Sequence, residues 1–117
     1  GGSWHLPRMI GTARAKGMAM PMPKVTAQQA KELGLIWEVV DDAKLMDTVM
    51  ALAEHLATQP TRGFAYTKQA FSASMTNTLD EQLDIEKTLM STAGFTDDYA
   101  EGVKAFLEKR QPEYKGQ

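Results

Sequence analysis

Apolar positions along this chain recur mainly at helical spacing. Leu45, Val49, Leu52 and Leu56 fall at i, i+4, i+7 and i+11, which places them on one stripe of a helix. Phe64, Ala70, Phe71 and Met75 mark a second helix, and Pro60 ends the first or opens the second. Leu79, Leu83, Leu89 and Met90 mark a third, and Tyr99, Val103, Phe106 and Leu107 share the face of a fourth. Trp4 to Met20 fits two short helices that meet near Gly11. Pro21 and Pro23 then break the chain, because proline lacks an amide proton and restricts its predecessor. Only Leu35 to Val40 departs from this pattern: it is apolar and β-branched, contains Trp37, and predicts one short strand.

Residues at the helix ends support the same boundaries. Thr26 with Gln29, and Thr78 with Glu81, have the form of capping boxes, in which each side chain satisfies the other residue's backbone donor. Gly34 is placed to stop the helix that Thr26 starts, and Gly94 the one that Thr78 starts. Asp41-Asp42 is expected to supply a turn and an acidic N-cap, and Thr96-Asp97-Asp98 to cap the last helix. Lys109 and Arg110 fall at that helix's C-terminus, where cations are favoured, and Pro112 stops it. The expected fold class is mainly α, with about seven helices and at most one strand. A lone strand leaves its backbone groups unpaired, so its partners must lie across a subunit or outside this chain.

Composition narrows the function classes. The 117 residues are 43% hydrophobic and 24% charged, ordinary for one globular domain. A net charge of -2 gives no electrostatic case for nucleic acid. No apolar run approaches the roughly 20 residues a membrane span requires. The start lacks the basic and apolar regions of a secretory signal. With no cysteine there is no disulfide, thiolate nucleophile or thiolate metal site, and a cytoplasmic protein is expected.

Catalytic signatures are absent as well. The two histidines, His5 and His55, stand in neither HExxH nor EF-hand spacing, so no metal site is expected. There is no GxSxG elbow and no glycine-rich phosphate loop. Asp41-Asp42 and Asp97-Asp98 look like paired carboxylates, but each pair opens a helix and capping explains it. The capped helix before Gly34-Leu35-Ile36 imitates a helix-turn-helix, yet a strand and an acidic turn follow it, with no basic recognition helix. Taken alone, the chain holds no catalytic constellation.

Seven segments, in order, nevertheless resemble one superfamily. They are Gly1-Gly-Ser-Trp-His-Leu-Pro-Arg-Met-Ile-Gly11, Ala13-Arg-Ala-Lys16, Ala27-Gln-Gln-Ala-Lys-Glu-Leu-Gly-Leu35 and Val39-Val-Asp41. Pro60-Thr-Arg-Gly63, Thr67-Lys-Gln-Ala70 and Glu101-Gly-Val-Lys-Ala-Phe-Leu-Glu-Lys-Arg110 follow, the last with Pro112-Glu-Tyr-Lys-Gly116 behind it. The pattern resembles the C-terminal half of the enoyl-CoA hydratase/isomerase (crotonase) superfamily, a ββα-superhelix fold. One local departure is Pro21-Met22-Pro23, where family members usually carry a glycine-containing turn. Gly34-Leu-Ile-Trp-Glu-Val-Val-Asp-Asp42, Gln59-Pro-Thr-Arg-Gly63 and Thr76-Asn-Thr-Leu-Asp80 are similar to the phenylacetate-pathway branch, whose members isomerise ring-1,2-epoxyphenylacetyl-CoA.

The resemblance carries its own expectations. Gly1, Gly2 and Ser3 belong to the matching pattern, so they read as native sequence from the middle of a longer protein. In the branch the catalytic acid is an Asp just upstream of the Gly-Gly pair, so the resemblance implies no catalytic residue in this chain. The oxyanion hole and most of the CoA site are likewise expected outside it. Gly1, Gly2 and Trp4 would line the acyl end of the pocket, or Trp4 would serve only in packing. Tyr114 and Lys115 match an aromatic–basic pair that reaches the CoA adenine and phosphate, unless the tail is frayed. Residues 1–40 would end the catalytic core and residues 41–117 would form a helical oligomerisation region of a homo-trimer or hexamer. No cofactor is expected beyond coenzyme A as part of an acyl-CoA substrate. Two alternatives stay open: hydration or double-bond shift of an enoyl-CoA, and a non-catalytic helical self-association module. The 12.9 kDa chain on its own is expected to be helical, self-associating and inactive on acyl-CoA, which circular dichroism with light scattering and turnover assays would check. A well-behaved monomer that turned over acyl-CoA would contradict this.

Overall fold

The computed structural model describes all 117 residues as two compact units, Gly1–Thr48 and Val49–Gln117. Seven α-helices carry nearly all the regular structure: α1 (Gly2–Ile10), α2 (Thr12–Ala19), α3 (Ala27–Glu32), α4 (Leu45–Ala57), α5 (Thr61–Ser74), α6 (Leu79–Gly94) and α7 (Asp97–Glu108). A single 3₁₀ turn, Asp42–Lys44, leads into α4.

In the first unit α1 packs on α2, and the two meet at Gly11 as expected. The Thr26–Gln29 capping box forms in full at the start of α3. At the other end Gly34 has φ 80°; its N–H donates to the Lys31 carbonyl and that of Leu35 to the Ala30 carbonyl, both at 2.9 Å. This is the Schellman arrangement that glycine favours. The Pro21–Pro23 break places Met22 at φ 47°, the left-handed backbone that a glycine turn would supply without steric cost. Asp41 makes no side-chain capping bond, so the acidic pair contributes charge at the start of this helical segment but not the expected cap.

Leu35–Val40 is the clearest correction: it forms bends and irregular chain, not a strand. A strand needs a neighbour to receive its backbone hydrogen bonds, and none is present. Instead the Glu38 carboxylate accepts the Val39 N–H at 2.8 Å and pairs with Lys31. Those contacts, Lys31 first, hold Glu38 below its ordinary value.

In the second unit α5 packs on α6 and α6 on α7. Gln82 joins the first pair, donating to the Ala70 carbonyl at 3.2 Å while accepting from Asn77 at 3.1 Å. Thr78 and Glu81 complete the second capping box, and Thr96 caps α7 by accepting the Tyr99 N–H.

Little of the apolar surface is covered within either unit. The buried hydrophobic residues are Ile10, Ala15, Leu89 and Ala105. Val49 and Leu56 of α4, Phe71 of α5, Leu79 and Met90 of α6, and Phe106 and Leu107 of α7 are exposed. The stripes predicted from the sequence are therefore present as helix faces but are not a core. The chain exposes 9416 Å². Even two separate compact bodies of these lengths would expose only roughly 7,600 Å².

One terminus invites a stability test. Lys109 ends α7 at φ 54°, and the N–H groups of Lys109 and Arg110 donate to the Phe106 and Ala105 carbonyls, the arrangement seen at Gly34. A side chain there costs about 1 kcal/mol that glycine avoids, so Lys109→Gly is expected to stabilise the chain by roughly that amount. Urea denaturation would check it; a loss of stability would contradict the reading.

Candidate functional site

At the amino end, Gly1 caps α1 by accepting the N–H groups of Trp4 and His5, each at 3.0 Å. The Trp4 indole is flanked by its own helix. The Arg8 guanidinium carbon lies 3.9 Å from the ring centroid, and the His5 ring meets it edge-on at 4.9 Å. Arg8 also donates to the Trp4 carbonyl at 3.0 Å. Trp4 is 45% exposed and does not line the adjoining apolar cleft of about 520 Å³, whose walls include Gly2, Leu6, Pro7 and Ala19. Gly1, Gly2 and Trp4 thus fall together on the first turn of one helix, with only Gly2 on the cleft.

The carboxyl end is not frayed. Asp98, in the first turn of α7, is 3% exposed, and both of its oxygens accept backbone N–H groups. Oδ1 receives Lys115 at 2.7 Å and Oδ2 receives Gly116 at 2.9 Å. The Asp98 N–H in turn donates to the Gln117 carbonyl at 3.1 Å. One helical turn later, Glu101 takes Nη1 and Nη2 of Arg110 at 2.6 and 2.9 Å, and also the Glu113 N–H at 2.9 Å. This fork geometry is the strong form of a carboxylate–guanidinium pair. The Arg110 bonds, and after them Glu113, hold Glu101 at about 2, while Glu101 and Glu108 raise Arg110.

The clasp fixes both nominated tail residues. The Tyr114 ring lies over Gly102, where an added Cβ would stand 3.1 Å from the phenol oxygen. Tyr114 also walls an apolar groove of about 410 Å³ with Pro60, Tyr99, Val103 and Phe106. Lys115 is exposed, on the polar side with Asp97, Glu101 and Arg110. Gly116 crosses so close to Thr61 that a Cβ would come within 2.7 Å of its hydroxyl oxygen.

The chain matches the enoyl-CoA hydratase/isomerase family from residue 1 to residue 117. It belongs to that family. It is 53% identical over 116 residues to the 1,2-epoxyphenylacetyl-CoA isomerase of Escherichia coli K12, covering 99% of this chain and 44% of that protein. It is 47% identical over 116 residues to a probable enoyl-CoA hydratase of Rhodobacter capsulatus, covering 99% of this chain and 45% of the relative. Among solved structures, an enoyl-CoA hydratase from Geobacillus kaustophilus superposes with a TM-score of 0.95 at 33% identity, over all of this chain and 44% of the other. The chain therefore spans less than half the length of these relatives. It is the helical, C-terminal part of the crotonase fold.

Within this part of the enoyl-CoA hydratase/isomerase fold, Gly1–Trp4 belong to the first compact unit and Tyr114–Lys115 to the second. No group of three or more His, Asp or Glu residues is placed to hold a metal ion, and no helix is long and apolar enough to cross a membrane. Sequence reasoning missed Asp98 and Glu101. It gave the capping of α7 to the whole Thr96–Asp98 run, whereas Thr96 alone makes the capping bond and Asp98 turns to the tail. It gave Arg110 to the helix dipole, whereas Arg110 folds back onto Glu101 and Glu108. The available signal was an acidic i, i+3 pair facing a basic residue just past the helix end.

The clasp has a defined acid limit. Because the folded value of Glu101, about 2, lies below its ordinary 4.5, its contribution is complete above the ordinary glutamate range and is lost as pH falls through about 2. NMR titration of the Glu113 amide is expected to show a midpoint near 2 that disappears in Glu101→Gln. A midpoint at 4.5 would mean that the pair does not hold in solution.

Proposed function

We propose that this chain is the C-terminal part of an acyl-CoA isomerase that acts on ring-1,2-epoxyphenylacetyl-CoA. The 53% identity to the Escherichia coli isomerase carries the reading, together with the Gly34–Asp42, Gln59–Gly63 and Thr76–Asp80 segments that resemble the same branch. On this reading the catalytic acid and the oxyanion hole come from the part of the protein that the relatives have beyond this chain's span. Proton transfer contributes ~10²–10⁴-fold and an oxyanion donor a comparable factor, so the chain alone is not a useful catalyst. Gly1, Gly2 and Trp4 would stand at the acyl end of the pocket, and Tyr114 and Lys115 at the nucleotide end of coenzyme A. Stacking on the phenol and a point-charge contact to phosphate suit that role. The exposed faces of α4 to α7 would be covered in a homo-oligomer, a trimer or hexamer.

The second reading, hydration of a 2-enoyl-CoA, is favoured by the 47% identity to a probable hydratase. Steady-state assays of the full-length protein separate the two. Isomerisation of ring-1,2-epoxyphenylacetyl-CoA is expected to exceed hydration of a 2-enoyl-CoA by at least about tenfold in kcat/KM, a difference in transition-state binding. The reverse order would give the site to hydration. Turnover by the 117-residue chain alone would contradict the placement of the catalytic groups.

A further inference from the structure

Asp98 is a buried carboxylate in the first turn of α7 whose side-chain hydrogen bonds run to the distant tail. Burying such a charge is costly unless hydrogen bonds satisfy it, and here both oxygens are satisfied by the tail. The start of α7 does not require it, because Thr96 already supplies the capping bond. What Asp98 orders is the two peptide links that flank Lys115, Tyr114–Lys115 and Lys115–Gly116, and hence the direction in which the Lys115 side chain leaves the backbone. Glu101 holds the Glu113 N–H, so Tyr114 is bracketed by amides bound to two carboxylates of the same helix. The phenol rests over Gly102, whose missing side chain lets it approach.

We propose that Asp98 is a positioning residue for coenzyme A: it presets the Tyr114–Lys115 segment so that the aromatic face and the ammonium meet the nucleotide without first being ordered. This rests on the reading of Tyr114 and Lys115 as the coenzyme A contact. Preordering removes a cost that binding would otherwise meet, so the benefit falls on affinity and not on the chemical step. Asp98 itself touches no substrate.

The test uses the full-length protein and free coenzyme A, with affinity from calorimetry and kcat and KM from turnover. Lys115→Met is expected to weaken coenzyme A about tenfold, the loss of one charged phosphate contact. Asp98→Asn keeps one acceptor oxygen but turns a donor towards the second amide, and is expected to weaken coenzyme A by a similar factor while kcat holds. The double variant is expected to lose clearly less than the product of the two single losses, because Asp98 acts in part through Lys115. Additive losses, or an Asp98→Asn protein that binds normally, would overturn the positioning role while leaving the contact reading intact. Normal binding by Lys115→Met would overturn the contact reading and the inference with it. Should Asp98→Asn not fold, Asp98→Ser, which takes away the carboxylate but introduces no new clash with the tail, is held to the same expectations.

Discussion

The structure depends on one constraint: its helices carry more apolar face than they cover for one another. Helix propensity and capping explain why each segment is helical, but short helices in water gain most of their stability from packing an amphipathic face. Here α5 packs on α6 and α1 on α2, and still Leu89 is the one large hydrophobic residue buried in the second unit and Ile10 the one in the first. Each large side chain left in water forgoes about 1.5–3 kcal/mol of burial. Phe95 at 89% exposure and Phe106 at 82% are the extreme cases.

Against that background the carboxyl tail is held by polar means. Seven residues without regular structure would ordinarily fray. Instead two carboxylates one helical turn apart take the amides of Glu113, Lys115 and Gly116 and the guanidinium of Arg110. Glycines at 102 and 116 permit the close approach of Tyr114 and of Thr61. The tail thereby acquires a fixed course over α7, which gives residues 114 and 115 defined places in the second unit.

What the sequence disclosed follows from the range of each interaction. Helix limits were legible because caps act within four residues: Thr26–Gln29, Thr78–Glu81, Thr96 and Gly34 all perform as read. Leu35–Val40 misled because β-branched composition reports suitability for a sheet, and a sheet is a property of neighbours. The amphipathic stripes disclosed which faces are apolar and could not disclose what covers them. Asp98 was read as a local cap because its partners lie 17 and 18 residues away, beyond any local rule. The family was legible from ordered motifs over the whole chain.

As the C-terminal part of the crotonase fold, these helices present apolar faces whose stabilisation calls for surface this chain does not supply. Hydrogen exchange of α4 to α7, compared between the isolated chain and the full-length protein, tests it most directly. Backbone amides along Leu45–Ala57 and Leu79–Gly94 are expected to exchange at least about a hundredfold more slowly in the full-length protein, as when local opening is replaced by global unfolding. Equal protection in the two would show that the helices hold themselves, and would contradict the claim.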